Sequence, residues 1–182
     1  MKGNPIEMHD EIIEAIEAQI EVRKNGPADA PKSLKSIYKA LGKNDFGKAL
    51  SAANSIVEGG GDDAESATPL LRTIEGRIQS SLSRVDALLA EGMVLEAETL
   101  AGSLTKSLKG VDAFVEPLAA VNTAVDGADK KGAKALSKIL KGLESSGPSD
   151  ATMKKLASFA SKAADGPVAA RAKKLHELLA GA

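Results

Sequence analysis

From Leu71 onward, apolar residues return every three or four positions: Leu71, Ile74, Ile78, Leu82, Val85 and Leu89. A helix advances 100° per residue, so this spacing places all six on one stripe about five turns long. Other segments repeat the pattern, and none alternates apolar with polar residues as a half-buried strand does. A chain patterned this way buries its stripes by packing helix against helix. The aromatic share, 2%, points the same way: Tyr38, Phe46, Phe114 and Phe159 are the whole of it, with no Trp. The core must be Leu, Ile, Val and Ala. Such small side chains let helices approach closely, whereas sheets favour β-branched and aromatic residues.

Capping and breaking residues divide the chain. Asn4 caps and Pro5 starts a predicted helix that runs to Lys24, with Glu7 three residues after the cap and Ile12, Ile13, Ile16 and Ile20 along one face. Asn25-Gly26-Pro27 ends it. A short helix through Leu34, Ile37, Tyr38 and Leu41 turns at Gly42-Lys43-Asn44-Asp45 into a partner through Phe46, Ala49, Leu50, Ala53, Ile56 and Val57. Gly59-Gly60-Gly61 breaks the chain. The long helix starts either near Asp62 or at Pro69 with Thr68 as cap, and stops at Gly92. Val94 to Leu108 returns to Gly110. Further helices are expected over 113–125, over 130–144, around Met153, Leu156 and Phe159, and from Val168 to Leu179. The expectation is all-α: eight to nine helices in stacked antiparallel hairpins. Residues 1–30 form an acidic amphipathic helix and linker, and residues 31–182 the hairpin domain.

With no Cys, the chain has no disulfide, thiolate metal ligand or thiol nucleophile. No apolar run approaches the roughly 20 residues that span a bilayer, and the N-terminus lacks the apolar stretch of a signal peptide. A soluble chain is expected, with no membrane span. Net charge is −1, unevenly spread: seven acids against three bases over residues 1–30, and thirteen bases against eight acids over residues 101–182. That basic balance falls short of a nucleic-acid binder's.

Candidate chemistry is sparse. His9 lies on the isoleucine face of the first helix, where a lone His packs; His176, beside Glu177, reads as solvated. Neither has the companions that a zinc site needs. Glu11, Glu14, Glu17 and Glu21 read as a solvated face. Asp62, Asp63 and Glu65 follow three glycines but do not meet the calcium-loop pattern, and capping by Asp62 or Asp63 suits them better. The three glycines lack the Gly-Lys-Ser/Thr ending of a phosphate loop. No catalytic residue, cofactor or metal is expected. Lys131, Lys134, Lys138 and Lys141 share one helix face opposite Leu136, Leu140 and Leu143. They form a candidate surface for an acidic protein partner, and the near-absence of aromatic stacking platforms argues against single-stranded nucleic acid. Ile12, Ile13, Ile16 and Ile20 form a candidate docking or homodimer stripe, because each buried Ile contributes about 1.5–3 kcal/mol.

Three stretches look alike: Asn44 to Ala53, Gly92 to Ala101, and Asp129 to Ile139, in which Lys134-Ala135-Leu136-Ser137 copies Lys48-Ala49-Leu50-Ser51. A turn is followed in each by a helix carrying Ala where a neighbouring backbone would press close. This resembles the second helix of tetratricopeptide-type repeats, without their regular spacing. Lys2-Gly3-Asn4-Pro5 and the acidic helix after it resemble the end of a thioredoxin-like domain. Ala164 to Leu175 is similar to helical extensions that follow such domains in some bacteria. These resemblances imply a non-catalytic module that binds a protein or peptide. Alternatively, they imply the C-terminal appendage of a thiol–disulfide oxidoreductase whose active site lies outside this chain. An exported or periplasmic location would follow from such a parent, and a cytoplasmic one otherwise.

Overall fold

The computed structural model describes residues 26–27, 29–163 and 165–181. The predicted first helix, His9, the glutamate face and the stripe of Ile12, Ile13, Ile16 and Ile20 lie outside the described residues. Within them the secondary structure is helical throughout: a 3-10 turn at Lys32–Leu34, α1 (Lys35–Gly42), α2 (Phe46–Gly59), α3 (Asp62–Ala90), α4 (Val94–Ser107), a 3-10 turn at Asp112–Phe114, α5 (Val115–Gly127), α6 (Lys130–Ser146), α7 (Asp150–Lys162) and α8 (Pro167–Ala180). These are eight α-helices among the described residues. No described helix is long and apolar enough to cross a membrane.

Helix starts follow local chemistry. The side chains of Asp45, Asp129 and Ser149 accept hydrogen bonds from the N–H groups of Lys48, Gly132 and Thr152, capping α2, α6 and α7. Pro167 opens α8 at a position where its missing N–H costs nothing. The choice left open for α3 resolves to Asp62. Asp62, Asp63 and Glu65 occupy its first turn, where carboxylates meet the positive end of the helix dipole, and Pro69 lies inside the helix.

Two compact units divide the described residues. One runs up to Ile78 and includes Ser107–Val111; the other holds Gln79–Lys106 and everything from Asp112 on. The division falls inside α3, and so within what the sequence reads as a single hairpin domain.

In the first unit α1 and α2 pack together as a hairpin. Ile37, Ala49 and Ala53 are fully buried. Asn44, at φ +54°, turns the chain between them. Ser107 fastens that turn: its Oγ accepts from the Phe46 N–H at 2.8 Å and donates to the Asn44 carbonyl at 2.9 Å. The backbone of Ser107 sits so close to α2 that a Cβ on Gly47 would come within 2.5 Å of its carbonyl oxygen.

In the second unit α6, α7 and α8 pack on one another. Their shared core is Val94, Ala133, Leu136, Leu156, Ala160, Val168 and Ala172, with Phe159, Leu140 and Leu175 among the half-buried residues against it. The turn from α3 to α4 abuts the start of α8. Gly92, at φ +71°, leaves no room for a Cβ, which would lie 2.5 Å from the Pro167 carbonyl oxygen.

Candidate functional site

The lysine face falls on α6. Leu136 is buried, and Leu140 and Leu143 are half-buried on the inner side, while Lys131, Lys134, Lys138 and Lys141 are all exposed. None of the four makes an ion pair among the described residues. Lys130, one position earlier, contrasts with them. It reaches Glu98 on α4 at 3.1 Å and Asp126 at the end of α5 at 2.9 Å. Hydrogen bonding to those two carboxylates raises its pKa, Asp126 contributing most. One lysine of the first turn is therefore compensated, and Lys131 beside it is not.

The lysine face costs helix stability. Lys131 is the second residue of α6, where a cation faces the positive end of the dipole. Lys131 and Lys134, Lys134 and Lys138, and Lys138 and Lys141 stand three or four residues apart, the spacing at which like charges repel. Between residues 130 and 181 there are eleven lysines and arginines against four acids.

Concave features flank this face. A shallow, open groove of about 550 Å³ lies along α7 where Ile139 of α6 meets it, with Ile139, Phe159 and Ala163 half-buried in it and Lys154, Lys155 and Lys162 exposed around it. On the other side, a depression of about 180 Å³ includes Leu140, Lys141, Glu144 and Arg171. A third cleft, about 430 Å³, forms where the segments preceding α6 and α8 meet the end of α3. Its carboxylates are Asp129, engaged in capping α6, and Asp165, which is exposed and 4.0 Å from Lys173.

No polar or charged residue is buried among the described residues. Nor do three or more His, Asp or Glu side chains gather there as metal ligands. His176, read as solvated, is half-buried on α8. Asp62, Asp63 and Glu65 are exposed. Sequence reading missed the groove of Ile139 and Phe159. The sequence shows lysines at 154, 155 and 162, but only the packing of α6 on α7 sets Ile139 beside them.

No protein family, curated protein or solved structure matches this chain.

Proposed function

We propose that this chain is a non-catalytic, tetratricopeptide-like interaction module that binds a protein partner by shape and charge. The observation that carries this reading is the lysine face of α6. Four exposed, unpaired cations stand at mutually repelling spacing, one of them against the helix dipole. Features that cost local stability concentrate where function repays them. An acidic surface on a partner would relieve the repulsion that the helix carries alone.

The test is the K131E/K134E/K138E/K141E variant. Helicity should be kept and melting temperature should not fall, while the partner that copurifies from the native host is lost. An unchanged set of copurifying proteins would sink the reading.

A second reading draws on Lys2-Gly3-Asn4-Pro5 and the acidic sequence after it. In this reading the module is the C-terminal appendage of a thioredoxin-like thiol–disulfide oxidoreductase and positions a partner for that active site. Translation of the gene upstream of Met1 tests it. A strand-rich domain with Cys-x-x-Cys in frame supports the appendage, and an in-frame stop codon directly upstream of Met1 removes it. The stripe of Ile12, Ile13, Ile16 and Ile20 would serve as the docking surface toward such a parent, or between two copies of the chain.

A further inference from the structure

Building on the interaction-module reading, we propose that the groove between α6 and α7 seats an acidic amphipathic helix from a partner protein. Its apolar side chains would lie on Ile139, Phe159 and Ala163, and its carboxylates would meet Lys154, Lys155 and Lys162.

Three observations select this occupant. First, the groove combines a half-buried apolar floor with an exposed cationic rim, and no rim lysine makes an ion pair among the described residues. That is the complement of a helix with one apolar stripe flanked by acids, the usual occupant of a hydrophobic groove. Second, Lys155 and Lys162 are seven residues apart on α7, two turns and about 10 Å along the axis. They can engage carboxylates spaced by two turns on a partner helix lying along the groove. Third, other polyanions fit less well. A nucleic-acid backbone brings phosphates but no aliphatic side chains for the floor, and Phe159 alone is a poor stacking platform. A membrane surface is met by protruding apolar side chains. The apolar residues of this shallow groove are half-buried, and the exposed large hydrophobics, Val115 and Leu178, lie outside it.

The lysine face of α6 adjoins the site. Lys138 precedes Ile139, one 100° step around the helix. The groove would supply the apolar contacts that hold the partner, and the α6 lysines would add longer-range attraction that salt weakens.

Fluorescence anisotropy with the full chain tests this. The probe is a fluorescein-labelled helical peptide of about 15 residues, with Leu at every third and fourth position and Glu on both flanks of that stripe. The same peptide with Gln for Glu is the comparison. The Glu peptide should bind, and the Gln peptide roughly tenfold more weakly or not at all. K154E/K155E/K162E should weaken the Glu peptide by a similar factor at unchanged melting temperature. K32E/K35E/K39E, an equal charge change around α1, should leave it nearly unaffected. If the triple reversal disturbs folding, the milder K154Q/K155Q/K162Q variant carries the same expectation with a smaller loss.

Equal loss in both reversal variants would mean non-specific attraction and overturn the groove. So would binding that survives K154E/K155E/K162E but is lost in K131E/K134E/K138E/K141E, although the module reading would then stand. Absence of peptide binding, with the host partner still copurifying, overturns the groove alone. Sedimentation with phosphatidylserine vesicles that depends on Lys154, Lys155 and Lys162, with no peptide binding, overturns both.

Discussion

At the start of α2 the Asp45 carboxylate accepts from the Lys48 N–H at 3.2 Å and meets its Nζ at 2.8 Å. The side-chain contact with Lys48 is the main cause holding the Asp45 pKa below 3.8. Because the folded value is depressed, the stabilisation is complete above the unfolded value and is lost as pH falls through the folded one. Asp45→Ala should therefore cost about 1 kcal/mol near neutrality. The gap between wild-type and variant melting temperatures should stay constant down to mildly acidic pH and close in stronger acid. A gap that widened with acid would contradict the assignment. Gly47 and Gly92 are held by contact rather than by chemistry. Gly→Ala inside a helix usually stabilises by about 0.5–1 kcal/mol. That gain is expected at Gly102, where a Cβ meets nothing within 4 Å. At Gly47 the sign should invert, by about 1–3 kcal/mol of overpacking against Ser107. Gly92→Ala should lose at least as much, since it adds a strained φ to the clash with Pro167. Paired thermal melts of the three variants decide this, and a stabilised Gly47→Ala would refute the close approach.

Among the elements, helical periodicity and caps were readable from sequence because both are local. Phe46, Val94 and Lys130, each following a turn, do begin α2, α4 and α6. The four-letter identity between Lys48–Ser51 and Lys134–Ser137 misled in register. Ala49 is the fourth residue of α2 and fully buried, whereas Ala135 is the sixth of α6 and exposed. Counted from the helix start, the matching residue is Ala133, and Ala97 holds that place in α4; all three are buried. The repeated unit is a position relative to the turn rather than a string of letters. Pro69 shows the same limit of local reading: a proline can start a helix, but α3 begins one residue after Gly61. The lysine face yields its own prediction at this scale. Lys131→Glu should stabilise α6 by about 0.3–1 kcal/mol by reversing its interaction with the dipole, while weakening partner binding. Destabilisation on that change would remove the argument that the face is kept at a cost.

At the scale of the molecule, the buried residues of both units are aliphatic, in a chain with only four aromatics. Leu136 and Leu156 are essentially inaccessible in the core of the second unit. Truncating either to Ala should cost about 2–5 kcal/mol through lost transfer energy and the cavity left behind. Chemical denaturation checks this, and a loss below about 1 kcal/mol would mean that the core is loosely packed. The division inside α3 had no sequence signal, because α3 is continuous in pattern from Leu71 to Leu89. The groove was hidden for a related reason: its residues come from two helices, and neither helix's periodicity marks them as neighbours. The basic balance of residues 101–182 is plain in the sequence. Its meaning came from exposure and from the missing ion pairs.

The measurement that bears most directly on the interaction-module reading is photo-cross-linking in the native host. A photoreactive amino acid would replace Lys134 on α6 and, in a second protein, Lys39 on α1. A discrete protein adduct from position 134, absent from position 39 and enriched in acidic sequence where it cross-links, is the expected result. No adduct, or one that nuclease digestion or lipid extraction removes, would contradict the reading.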